Sequence, residues 1–166
     1  MYKYSDGTFK SEEIPSNAEA VKYVVSLMDL EPVARAAKGK YKNLDPQHWA
    51  NGYFYVASEF GYFKNLDEKK FASDEYDITC QEFVTLVLNA MGYGKITTGA
   101  NGYWMRAKDI DLFNGMKFSA IGRNEVVSRG FIANILYNAL NAPILDSEDG
   151  ITAPTSKTLY EIIYNY

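Results

Sequence analysis

An all-α fold made of repeated helix pairs is what this sequence predicts, on three observations. A five-residue block occurs twice, as Ala50-Asn51-Gly52-Tyr53-Phe54 and Ala100-Asn101-Gly102-Tyr103-Trp104, at an offset of about 50 residues, which marks an internal repeat. Two hydroxyl-then-carboxylate pairs, Ser16 with Glu19 and Thr79 with Glu82, have capping-box spacing, and each precedes apolar residues at helical intervals. A chain of 166 residues with 47% hydrophobic and 23% charged content can bury a sizeable core.

The repeat extends well past the block. Ala57 pairs with Ala107, and Phe63-Lys64-Asn65 matches Phe113-Asn114-Gly115 in character. Farther on the offset shortens by about one, so that Ile78-Thr79 meets Val127-Ser128 and residues 87–91 meet residues 136–140. A partial copy opens the chain, where Phe9, Ser16, Glu19, Val24, Val25 and Met28 stand as Phe71, Thr79, Glu82, Val87, Leu88 and Met91 do in the middle unit. The predicted organisation is a partial unit with its connection over 1–43, whole units over 44–95 and 96–145, and a linker and tail over 146–166.

Each element has a local reason. After Ser16, the residues Val21, Val24, Val25 and Met28 form one apolar stripe. Asp45-Pro46 reads as the start of a helix carrying Trp49, Tyr53, Val56, Ala57 and Phe60 up to Gly61. Residues 67–77 are polar around one anchoring Phe71 and read as a loop or short extended strand. Thr79 starts a helix with Phe83, Leu86, Val87, Ala90 and Met91 on one side and Gly92 as its stop. Tyr103, Ala107 and Ile110 repeat the earlier helix before the Asn114-Gly115 turn. Ser128 can still cap, but Phe131 takes the carboxylate position, so the box is broken while Ile132, Ile135, Leu136, Ala139 and Leu140 keep the stripe. Residues 146–150 are a linker by composition, and residues 157–164 fit a short helix or an edge strand equally well.

Composition argues against several functions. With 17 basic against 21 acidic residues and no basic run, the chain lacks a phosphate-neutralising surface, so no nucleic-acid partner is expected. No apolar stretch approaches the roughly 20 residues that span a bilayer, and the first residues do not form a signal peptide, so no membrane partner is expected. His48 is the only histidine, and neither a nucleophile elbow, a His-x-x-x-His pair nor a Gly-rich phosphate loop is present; no catalysis and no cofactor are expected. Asp109 and Asp111 begin a calcium-like loop, but Phe113 fills the next ligand position, so no metal site is expected either. Cys80, at a helix start, could have a lowered pKa and pair with a His as a nucleophile, or be a small buried side chain. The 14 tyrosines suit both core margins and sugar-facing surfaces.

Several of these residues resemble a known family. Leu44-Asp45-Pro46-Gln47-His48-Trp49-Ala50, then Gly61, Phe71 and Asp77-Ile78-Thr79-Cys80-Gln81-Glu82-Phe83, is similar to an S-layer homology (SLH) repeat, which opens with an Asp and a His-Trp-Ala and starts its second helix with an Ile-Thr-Arg-Ala-Glu type motif. Ser5-Asp6-Gly7-Thr8-Phe9 with residues 14–20 resembles the second half of another repeat, and residues 102–140 resemble a third. The resemblance implies three repeats around a pseudo-threefold axis, the first incomplete here. It also implies a noncovalent, non-catalytic anchor of a surface protein to secondary cell-wall polysaccharide, often pyruvylated, at the surface of a Gram-positive cell. Because the chain opens where the family would be leaving its first helix, a piece of a longer surface protein is expected.

On that reading Arg129 stands at the family's arginine position, behind the Ser128 cap in a first helical turn, where an anionic ketal would find guanidinium and backbone donors. A surface arginine, or one paired with a carboxylate, is the alternative for the same residue. Asn17 and Cys80 replace the arginine in the other two motifs, so at most one groove keeps the full anion-binding set. Tyr103 and Trp49 are the aromatic candidates for a sugar face, with a core position the alternative for Trp49; the third unit has Gly99 at the aligned place and carries its Trp at Trp104. The competing expectation is an assembly module without glycan binding, in which the missing first helix is replaced by the 158–166 tail or by another copy of the chain.

Overall fold

Three of the four longest helices begin where a side chain takes up a backbone donor. The computed structural model describes residues 7–73, 75–146 and 153–164. The expected opening at residues 1–6, Asp74, the linker residues 147–150 and the end of the tail lie outside them. The described chain is mostly helical, as the sequence predicts: α1 (Asn17–Leu27), α2 (Glu31–Ala36), α3 (Asn51–Glu59), α4 (Glu68–Phe71), α5 (Cys80–Ala90), α6 (Gly99–Asp109), α7 (Arg129–Asn141) and α8 (Leu159–Tyr164). Ser16 and Thr79 both make complete capping boxes, with Glu19 and Glu82 returning to the cap residue. Ser128 caps α7 through the Phe131 N–H alone. The predicted stripes of α1, α5 and α7 face inward, with Val21, Val24, Phe83, Leu86, Ile132 and Ile135 fully buried.

These three capped helices form the centre, each touching the other two, while α3 lies on α1, α6 on α5 and α8 on α7. Equivalent turns follow α3 and α6. The backbone is left-handed at Gly61 and Asp111, and again at Asn65 and Gly115. In both turns an asparagine of the next capped helix secures the loop: Asn89 Nδ2 donates to the Tyr62 and Lys64 carbonyls at 2.8 and 2.7 Å, and Asn138 Nδ2 to those of Leu112 and Asn114 at 2.9 Å each. Two glycines of the repeated block part company. A Cβ on Gly52 would lie 1.9 Å from the Ala34 carbonyl oxygen, so α2 can approach α3 only because that atom is absent, whereas at Gly102 the nearest atom is a Thr97 methyl at 3.5 Å.

Two expectations are corrected, an open alternative is resolved and one element is added. The helix expected from Asp45-Pro46 starts at Asn51, because residues 45–50 are held in turns, and Phe60 at its far end is exposed rather than on the stripe. Within 67–77, a single helical turn, α4, forms because Asp67 Oδ1 accepts from the Lys69 and Lys70 N–H groups; Phe71 is the buried anchor. The end of the chain is strand and helix together. β1 (Pro143–Asp146) pairs antiparallel with β2 (Ala153–Thr158), and Thr158 then caps α8, its hydroxyl accepting from the Glu161 N–H while Glu161 accepts from the Thr158 N–H. The α2 helix, with Pro32 in its first turn, is an addition.

Gly52→Ala is expected to lower stability by about 3 kcal/mol, since neither backbone can yield, while Gly102→Ala should be neutral or stabilising by up to about 1 kcal/mol. Urea denaturation of the two variants checks this. Burial pushes Tyr62 up to about 12; burial, then the Glu82 carboxylate that accepts from its hydroxyl, pushes Tyr76 to about 12; burial, then Glu125, pushes Cys80 to about 11. These groups hold their protons more tightly folded than unfolded. Their contribution is therefore complete below the ordinary values of 9.0 for the thiol and 10.0 for the hydroxyls, and is lost as pH rises through 11 and 12. Denaturation midpoints followed against pH, with tyrosinate absorbance, should show stability falling on the alkaline side.

Candidate functional site

The turn before α3 decides where Trp49 goes. Asp45 Oδ1 accepts from the Gln47 N–H at 2.8 Å and its carbonyl from the His48 N–H at 2.9 Å, while His48 Nδ1 accepts from the Ala50 N–H at 3.2 Å. Asn51, fully buried, closes the segment: its Nδ2 donates to the Tyr41, Leu44 and Asp45 carbonyls, and its Oδ1 accepts from the Tyr41 N–H. Trp49 therefore sits outside any helix stripe, with its residue 49% exposed. The His48 ring lies 5.7 Å away and Tyr53 edge-on at 6.3 Å. Lys22 Nζ, from α1, stands 5.9 Å from both the Trp49 and Tyr53 ring centres, and the Tyr53 hydroxyl donates to Glu31 Oε1 at 3.0 Å. An exposed indole with an ammonium and an imidazole beside it can stack on the C–H face of a sugar and hydrogen-bond its hydroxyls.

The other candidates are drawn inside the fold. Arg129 is only 4% exposed; its Nε donates to the Phe9 carbonyl at 3.3 Å, its Nη1 to the Tyr23 hydroxyl at 3.4 Å, and the guanidinium pairs with Glu19 at 3.8 Å and lies over the Phe9 ring. The backbone donors around it are also taken. Arg129 N–H goes to the Glu13 carbonyl at 2.9 Å, Gly130 N–H to Ser11 at 2.8 Å and Phe131 N–H to Ser128 Oγ at 3.2 Å. At the expected anion site of Arg129 and Ser128, both side chain and helix start have protein partners and join the units. Tyr103, 0% exposed, donates to Asn89 Oδ1 at 2.7 Å and accepts from Asn65 at 3.1 Å, so it cannot present its ring to a sugar. Trp104 is buried against Phe113.

The degenerate motif positions are structural too. Asn17 is buried, donating to the Ser73 and Tyr76 carbonyls and accepting from the Ile78 N–H at 3.2 Å. Cys80 is buried, and its pKa is raised, opposite to the lowering a helix start would cause, because burial and then Glu125 disfavour the thiolate. Among the described residues no group of three or more His, Cys, Asp or Glu is placed to hold a metal ion, and no helix is long and apolar enough to cross a membrane. Sequence reasoning missed Lys22 and Tyr53 as neighbours of Trp49, and Glu31 as the partner of Tyr53. They come from three helices, and only the spacing of Trp49 and Tyr53 carried any signal.

Fold and site together define a mostly helical chain presenting one aromatic platform. No family model matches the chain, and no solved structure matches it. It is similar to a protein named "Cell surface protein" from Thermoanaerobacter kivui, 27% identical over 148 residues, which cover 87% of this chain and 19% of that protein. The chain thus spans about a fifth of the length of that relative, 19%.

Arg129→Ala is expected to cost about 2 kcal/mol of stability, less than the ~3–5 of a fully buried pair because Glu19 is partly exposed to solvent. Chemical denaturation of the variant measures it; an unchanged midpoint would return Arg129 to the surface.

Proposed function

We propose that this chain is a non-catalytic module of a surface protein that attaches it noncovalently to cell-wall polysaccharide through the platform around Trp49. The observation that carries this is the half-exposed indole with Lys22, Tyr53 and His48 about it, an apolar plate with a polar rim. Support also comes from the SLH-like motifs and from the relative named as a cell surface protein. Where the polysaccharide carries an anionic ketal, the ammonium of Lys22 supplies the positive charge that buried Arg129 does not. A cell-surface location in a Gram-positive bacterium belongs to the same reading. A second reading, an assembly module without glycan binding, is favoured by one observation: the starts of α5 and α7 and the side chain of Arg129 all serve internal joints.

Retention on purified Gram-positive sacculi, before and after chemical removal of the secondary polysaccharide, tests the proposal. Retention should require the polysaccharide and fall about tenfold or more in Trp49→Ala, the loss of one stacked ring and its rim contacts. Retention indifferent to both would favour the assembly module, whose signature is concentration-dependent self-association.

A further inference from the structure

Both whole repeats have a cleft between the turn after their first helix and the C-terminal half of the second, about 500 Å³ in the middle repeat, and the two clefts are lined differently. In the last repeat this is an open cleft of about 620 Å³, lined by Arg106, Asp109, Asp111, Asn114, Tyr137 and Asn138 among others. In the middle repeat the corresponding place has Gly61 for Asp111 and Lys64 for Asn114, and Leu88, the counterpart of Tyr137, is buried. The key amide differs as well. Asn89 Oδ1 accepts the Tyr103 hydroxyl at 2.7 Å, so both ends of that side chain are taken.

In the last repeat Asn138 is only 8% exposed and its Nδ2 is held by the Leu112 and Asn114 carbonyls, yet its Oδ1 accepts no hydrogen bond among the described residues. Arg106 adds a donor: its guanidinium lies 5.9 Å from the Tyr93 ring centre, and its buried Nε has no hydrogen-bond partner among the described residues. Tyr137, 68% exposed, supplies an aromatic ring at the rim. An acceptor fixed in orientation, a buried donor without a partner, two carboxylates and an exposed ring in one cleft make up the equipment that recognises a polyol.

We propose that this cleft is a second carbohydrate subsite, which takes a neutral sugar unit with free neighbouring hydroxyls. The sugar's hydroxyls donate to Asn138 Oδ1 and the aspartates and accept from Arg106, while its C–H face rests on Tyr137. Neutral rather than acidic sugars are favoured because two carboxylates outnumber the one guanidinium, so an anion entering the cleft meets net repulsion. The sugar chemistry rests on the glycan-binding reading above, but the site is distinct from the Trp49 platform.

The test is an amide chemical-shift titration of the full chain with N-acetylglucosamine, N-acetylmannosamine and galactose, and with glucuronate as the acidic control. Neutral sugars should move the amides of 106–114 and 137–143, and Tyr137→Ala and Arg106→Gln should each weaken that binding about tenfold. Tyr137 is exposed, so its variant should keep the wild-type spectrum elsewhere. Shifts confined to the surroundings of Trp49, shifts caused by glucuronate alone, no shift with any sugar, or cleft binding unchanged in both variants would each overturn the subsite. Retention on sacculi judges the attachment function separately: cleft amides that stay still in a chain still retained there remove the subsite alone.

Discussion

The backbone N–H groups left over at the starts of α5 and α7 are the constraint on which the rest of the structure depends. A helix leaves its first donors without intrahelical partners, and here another repeat supplies them. Cys80 and Gln81 N–H groups donate to the Glu125 and Arg123 carbonyls at 2.9 Å, and the Val127 N–H returns a bond to Ile78 at 3.0 Å. Arg129 and Gly130 in turn donate to Glu13 and Ser11 of the first unit, whose Asn17 is tied to the 73–78 segment of the second. The third unit thus completes the start of α5 and the first that of α7, while the second holds the Asn17 side chain, so the joints form together with the central contacts of α1, α5 and α7. A donor left unmet there would carry the desolvation cost of a buried polar group, about 1–3 kcal/mol.

That arrangement has a consequence for recognition. Helix starts are ready anion sites only while their donors are unoccupied, and in α5 and α7 they are occupied by protein carbonyls and cap hydroxyls. On the proposed function, recognition is left to parts of the surface that the joints do not use. One is the turn before α3, where Trp49 is turned outward; another is the end of the last repeat remote from its cap, where Tyr137 is exposed.

Divergence between the repeats supplies the chemistry. Asn51 closes a turn from a fully buried position, whereas Asn101 at the same place in the block is exposed and accepts from Arg123 at 3.2 Å. Arg123 bonds Gln81 and lies over Trp104, which takes the buried place of Phe54 and not that of Trp49. Identical residues at repeat-equivalent positions therefore do not imply identical roles. The neighbours contributed by other units decide which copy is structural and which is free to meet a ligand.

Much of the fold was legible in the sequence. The capped helices after Ser16, Thr79 and Ser128, their apolar faces and the stop at Gly92 follow from side chains within a turn or two of each other, and local hydrogen bonding with 3.6-residue periodicity is enough to determine them. The candidate site was legible only at Trp49. Tyr103 and Arg129 carried the right chemistry in the right motif, but whether a ring or a guanidinium faces water is set by groups distant in sequence: Asn65 and Asn89 for Tyr103, Phe9, Glu19 and Tyr23 for Arg129. What the sequence by itself determined was where helices start and which face of each is apolar. What only the tertiary structure decided was which polar groups find partners inside and which remain outside to bind something else, because burial and hydrogen-bond satisfaction belong to the assembled fold and not to any one segment.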